Sequence, residues 1–366
     1  MERPANVLPA RPLRAAERQA DGPEIERLEA VDVTRGLAIV AVVVHHVSGL
    51  ALPLAAPGVA HTALAVLNRS LLFVVPTFLL VTALVLTRSA LHAFDARRYY
   101  AARARTALGP YLVWTVLYVL FRVATRQDAP DVLLDAKRWW IWLRYGKGYF
   151  HLYFLLIALQ FYLVLPLALP LARKRPSLRV TLGVALAVQL AVFALNRQVL
   201  HLRFPGTMVA WYLPALALGV ALGAQNVDVA AWWRRTWRPV SLAALVTFLW
   251  FVPLAVTLLD GERVGTLAYA AANTAYTVSA ALVVFGLSHA LVKTRGGRAL
   301  SFLGTVSLQV YLLHPALLTL LKAHLPTGGT TLAGAAIGLA IVALGVPVLV
   351  AWMLRGTLLS RVLFGR

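Results

Sequence analysis

The chain has 366 residues, 60% of them hydrophobic and 13% charged, with a formal net charge of +21 and no cysteine. A soluble domain carries about 25% charged residues, and a mean hydropathy of +0.75 leaves too little polar side chain to cover a globular surface, which excludes a soluble protein of one or two domains. The absence of cysteine rules out disulfides, thiolate metal sites and a cysteine nucleophile, and cations confined to the gaps between apolar runs argue against a nucleic-acid partner.

Residues 1–32 form a polar tail with both signs of charge, expected to be cytoplasmic and either disordered or interfacial. Apolar runs of about 20 residues, each enough to cross about 30 Å of hydrocarbon, then recur at 33–52, 71–90, 107–125, 149–170, 178–195, 207–225, 239–259, 266–291, 300–321 and 331–353. The fold class expected is therefore all-α: a polytopic bundle of about ten transmembrane helices in one domain, 33–354, closed by a basic cytoplasmic tail, 355–366. With the N-terminus inside, the inner segments hold more than twice the Lys and Arg of the outer ones. That satisfies the positive-inside rule with both termini cytoplasmic. Ala, Pro and Gly around 55–60 follow the first run much as a signal-peptide cleavage region would. The long acid-containing tail and the adjacent His45 and His46 favour an uncleaved helix.

Within the first helix, Arg35 and His46 stand 11 residues apart, which brings them to about 20° from one face and about 16 Å along it. Asp32 lies about 40° to the other side of that face, whereas His45 points about 100° away. Ionisable groups at membrane depth mark functional sites by default, and one polar stripe from the inner edge to the outer half suits a path between two compartments. On the inner side, Arg97-Arg98 and Arg103 with Arg105 are either topogenic charge or a site for a phosphorylated donor. The outer loop 126–148 carries five basic residues among Trp139, Trp140 and Trp142. It is expected to be an interfacial amphipathic segment or a platform for a sugar or lipid headgroup. The fourth helix opens with His151 and carries Gln160 and Tyr162, candidate substrate contacts, although a buried Gln equally serves as glue between helices. Asn273, Tyr276 and Ser279 read as such glue. Ser307, Tyr311 and His314 share one face of the ninth helix. Pro315 follows and frees a backbone carbonyl, and His314 is expected at about the depth of His46.

Three of these segments resemble the acyltransferase-3 family of membrane acyltransferases. Asp32-Val-Thr-Arg35-Gly36 followed by His46 resembles the family's opening helix, in which an Arg or Lys, ten residues and a His recur. Phe150-His151-Leu-Tyr-Phe154 with Gln160-Phe-Tyr-Leu163 and Pro166 resembles its central segment, and Phe302-Leu-Gly304 through Ser307 to Tyr311-Leu-Leu-His314-Pro315 its C-terminal signature. They occur in family order across nearly the whole chain. A Glu pair present in many members is Ala158-Leu159 here, as in the branch resembling polysaccharide-adhesin and enterobacterial-antigen O-acyltransferases. The family's Arg-x-x-Arg is not matched by the spacing of Arg103 and Arg105.

The resemblance implies O-acylation, usually O-acetylation, from a cytoplasmic acyl-CoA (acetyl-CoA) as donor co-substrate to an extracytoplasmic glycan or glycolipid hydroxyl, in the inner membrane of a bacterium. It implies no bound cofactor and no metal, and its partners are membrane lipids, the donor and the acceptor. His46 would be general base or transient acyl carrier, Arg35 would hold the donor, and His314 and Tyr311 would orient the reacting groups. Asp32, His151, Gln160, Tyr162, Ser307, Arg103 and Arg105 would contact the substrates. Two competing expectations stand beside it. One is a glycan or lipid exporter using the same intramembrane polar groups. The other is a heparan-type membrane N-acetyltransferase, whose opening helix has a similar Asp-x-x-Arg-Gly.

Overall fold

The computed structural model describes residues 13–225 and 227–365, and among these every regular element is helical. The α-helices in chain order are α1 (Leu13–Ala51), α2 (Val59–Ser70), α3 (Val74–His92), α4 (Ala96–Arg103), α5 (Gly109–Ala124), α6 (Ala136–Tyr145), α7 (Tyr153–Arg173) and α8 (Leu178–Leu195). They continue with α9 (Leu213–Gln225), α10 (Val229–Leu259), α11 (Thr266–Leu291), α12 (Arg295–Thr305), α13 (Ser307–Leu321), α14 (Gly329–Met353) and α15 (Leu358–Phe364). Most of the proposed tail, residues 13–32, is thus part of α1, while residues 1–12 lie outside the described residues.

The chain is a polytopic all-α protein. Eight helical runs are long and apolar enough to cross a membrane, or nine with a bent pair counted as one span. The expected number was ten, and two segments account for the difference. The segment expected at 207–225 is a shorter apolar helix, Val209–Gln225, and that at 300–321 is broken between α12 and α13, which meet at 75°. Val306, at φ −104° and ψ 12°, interrupts the helix there. Apolar periodicity continues through this break, so the pattern alone gave no sign of it.

Burial separates a core from a rim. In α1, in the α2–α3 run and in α11, half of the spanning window is buried, against 17% in α8, α10 and α14. The rim helices turn large apolar side chains outward, among them Leu245, Leu249 and Trp250 of α10 and Ile337, Ile341 and Trp352 of α14. Such faces would be a liability in water but suit lipid, which is as apolar as the side chains themselves.

Small residues set the closest approaches in the core, as is usual between membrane helices. A Cβ added to Gly36 would stand 1.9 Å from the Leu300 carbonyl oxygen, and one added to Gly304 1.9 Å from that of Asp32. The pairing 36 with 300 and 32 with 304 makes α1 and α12 antiparallel, backbone on backbone. Gly219 and Gly223 of α9 press in the same way on the carbonyls of Leu80 and Leu84 of α3. Having packed along α1, the chain must turn at Val306 for α13 to cross toward the other end of α1. At the C-terminus α15 docks on α5: the Trp114 indole N–H donates to the Leu363 carbonyl at 2.7 Å, and Phe364 is buried.

Candidate functional site

The first helix carries two different environments along its polar stripe. At the N-terminal end Arg35 pairs with Asp32 at 3.4 Å. Tyr162 of α7 lies within electrostatic reach of Arg35 and of Arg103. The Arg103 guanidinium stands over the rings of Tyr99 and Tyr162, 5.7 and 5.5 Å from their centroids. Arg35, Arg103 and Tyr162 thus form one cluster, whereas Arg105, in a π-turn at Ala104–Leu108, is exposed. Near this end a cavity of about 890 Å³ is lined by Val31, Arg88, His92, Arg173 and Arg175.

Three turns further along α1, His46 meets an aromatic cluster. Its ring stacks on His314 at 5.4 Å between centroids and lies 4.9 Å from Phe150. His151 stands 6.1 Å from His314 and 5.2 Å from Tyr311. His46 and His314 meet because the bend at Val306 swings α13 across α1, not because two straight helices place them at equal depth. His46 and His314 stack, His151 meets His314 edge-on, and among the described residues no group of three His, Asp or Glu could hold a metal ion.

Hydrogen bonding sorts the three rings. His314 Nδ1 faces the Val310 carbonyl at 2.8 Å and so carries the proton, which leaves Nε2 buried and unpartnered. His151 is 2% exposed with neither ring nitrogen bonded. The Tyr311 hydroxyl donates to the His151 carbonyl and so fixes the turn into α7; its proton is committed to the backbone. Tyr118 supports the far side, donating to the Leu312 carbonyl at 2.6 Å.

His46 is the accessible member of the three. It lines two cavities, an inner one of about 220 Å³ and a vestibule of about 670 Å³, and His45 and Phe150 are the other residues common to both. His45 is held apart: its Nδ1 donates to the Asn68 carbonyl at 2.9 Å, and the Asn68 amide returns a bond of 2.8 Å to the His45 carbonyl. Asn68 also donates to Ser48 at 3.2 Å. This clamp between α1 and α2 fixes the turn that presents His46.

Other expected contacts lie elsewhere. Gln160 spends its amide on the loop before α9, donating to the Thr207 carbonyl at 2.9 Å and accepting from the Val209 N–H at 2.8 Å. It serves as glue, and it lines neither cavity at His46. Ser307 is buried at the start of α13 and lines neither cavity. Ser279 bonds Thr247 at 2.8 Å and Tyr276 bonds the Ser70 carbonyl at 2.5 Å, as glue does. Asn273 instead lines the inner cavity, its side-chain oxygen buried without a partner. The loop 126–148 folds back on itself through α6. Arg122 pairs with Asp128 at 2.5 Å and lies over Trp142, and Arg138 pairs with Asp135 at 3.3 Å.

Sequence reasoning passed over Phe150, Asn68 and the roles of Gly36 and Gly304. The glycines stood within the motifs, and Asn68 lay in the short polar run Asn68-Arg69-Ser70 outside every motif. Comparison with curated proteins and with solved structures returned no match. The sequence model of the acyltransferase domain that defines the acyltransferase-3 family matches residues 28–355, a stretch that contains the Arg35 cluster, the glycine crossing and all three imidazoles, and the chain belongs to that family of membrane acyltransferases.

Proposed function

We propose that this acyltransferase moves an acetyl group from a cytoplasmic acyl-CoA to a hydroxyl of an extracytoplasmic glycan or lipid-linked sugar, at the cytoplasmic membrane of a bacterium. One observation carries the proposal: an imidazole with no hydrogen-bond partner among the described residues, His46, forms the wall between two cavities, on the helix that three turns earlier holds Arg35 near a basic cavity. The donor's phosphates are drawn to Arg35, Arg103 and the cavity with Arg88, Arg173 and Arg175, since guanidinium groups match phosphate geometry. The acceptor enters through the vestibule.

At His46 a ring nitrogen takes the proton of the acceptor hydroxyl as the oxygen attacks the thioester carbonyl; the C–S bond breaks and the proton passes to the departing thiolate. In the two-step variant the same nitrogen attacks the thioester carbonyl first, breaking the C–S bond and releasing the thiolate; the acceptor oxygen then displaces it from the acyl-imidazole, and the hydroxyl proton passes to the thiolate. Both routes need a histidine nitrogen facing free volume, and His46 lines both cavities. His314, tied to the backbone through Nδ1, provides the ring plane against which His46 is held.

The test is mass spectrometry of surface glycans and glycolipids from cells with the gene, without it, and with a His46→Ala complement. The expected result is one ester-linked acetyl group that disappears on deletion and returns with the wild type only. Unchanged acylation with a glycan accumulating inside the cell would instead favour an exporter.

A further inference from the structure

The vestibule at His46 is lined by four cations, Arg69, Arg122, Lys147 and Lys322, and by no carboxylate. Arg122 is neutralised by Asp128 at 2.5 Å. The other three have no ion pair among the described residues: the Arg69 Nε is buried without a partner, and the Lys147 ammonium lies 4.8 Å from the centroid of the Phe204 ring. Arg69 lines the vestibule and is within electrostatic reach both of His45 and of Tyr269, which lines the inner cavity, so its charge acts on both cavities.

Two ordinary explanations of these charges do not fit. On the orientation proposed above they stand on the outer side, where the positive-inside rule leaves no topogenic use for them. Nor are they snorkelling anchors, which place their heads at the lipid headgroups; these residues line a cavity whose wall is His46. Arg69 and Lys147 are half-buried and Lys322 is exposed; unpaired cations lining a concave site concentrate anions, since low-dielectric walls focus the field. Tyr149, whose hydroxyl bonds Thr319 at 2.6 Å, and Phe150 add aromatic and hydroxyl surface on the same wall, suited to a sugar ring.

We infer that the vestibule selects an acceptor carrying an anionic group, a phosphate or a carboxylate, which Arg69, Lys147 and Lys322 hold while a neighbouring sugar hydroxyl reaches His46. The inference rests on the acceptor side of the proposed function, and its test does not require turnover.

Full-length protein in phosphatidylcholine nanodiscs is titrated calorimetrically with three probes sharing a hexyl tail: hexyl glucoside, hexyl glucuronide and the hexyl phosphodiester of glucose. At least one anionic probe should bind about tenfold more tightly than the glucoside, the worth of one charge-assisted contact, and the advantage should shrink with added salt. A gain for the glucuronide alone indicates an acidic sugar, and for the phosphodiester alone a phosphate-linked one. The double variant Lys147→Glu, Lys322→Glu should remove the preference, while Lys137→Glu, an exposed residue of α6 outside the vestibule, should keep it. If the double variant melts early, Lys322→Gln should still weaken the anionic probes and not the glucoside. Equal affinity for all three probes, or wild-type anion binding by the variants, would overturn the inference. In the wild type, anion binding without acetyl transfer from acetyl-CoA to any probe would count against the proposed reaction and leave the vestibule standing.

Discussion

The two ends of the polar stripe on α1 are built on opposite principles. At the Arg35 end, backbone lies on backbone through Gly36 and Gly304, and the charges of Arg35 and Asp32 answer each other. At the His46 end, two cavities meet and the imidazoles keep ring nitrogens unpaired. One end is rigid so that the other can be open: a helix locked at residues 32–36 holds a side chain about 16 Å away, where the Asn68 clamp and the His314 ring fix its direction. Motif residues that look alike in a string of letters therefore divide into packing residues and chemical ones.

Replacing His46 by Ala should cost about 10²–10⁴ in transfer rate, the usual worth of a positioned base, with an unchanged melting temperature in detergent. A variant that retains near-normal turnover would remove the chemical half of the contrast. Gly304→Val should act on the other half, lowering stability by about 1–3 kcal/mol through overpacking against Asp32 and taking activity down with the fold. A wild-type melt would mean that α1 and α12 are not in backbone contact. Tyr311→Phe sharpens the boundary: loss of the bond to the His151 carbonyl should cost about 1 kcal/mol of stability, and kcat should fall more than the donor KM rises. Arg35→Ala should do the reverse, raising the donor KM with little change in melting, because a half-exposed ion pair contributes only about 0–1 kcal/mol. Arg105→Ala, on an exposed side chain, should fall within about 0.5 kcal/mol of wild type and leave both kinetic constants in place.

Much of the site was legible because helix periodicity is local. Asp32, Arg35 and His46 could be placed on one face from their numbers, and His45 about 100° off it; that His45 meets Asn68 there came only from the fold. Gln160 could be recognised as buried and in need of partners, but which groups would satisfy it depended on where the loop 205–209 came to rest. The same holds for His151. In sequence it is one polar residue in an apolar motif, and its place between Tyr311 and His314 exists only because two distant helices approach it. Arg103 and Arg105, two residues apart, looked interchangeable; the π-turn that begins at Ala104 and the rings of Tyr99 and Tyr162 separate them.

From the sequence alone came the solvent, the helical class and the candidates for chemistry, since hydrocarbon demands long apolar runs and makes ionisable groups at depth costly. Tertiary structure alone decided that one expected span breaks at Val306, that glycines let α1 and α12 touch, that His46 meets His314, and that His46 forms the wall between an inner cavity and a cationic vestibule. Periodicity states which face of one helix is polar; which helix that face meets, and how closely, follows from how the side chains of both pack, and no single segment contains that information.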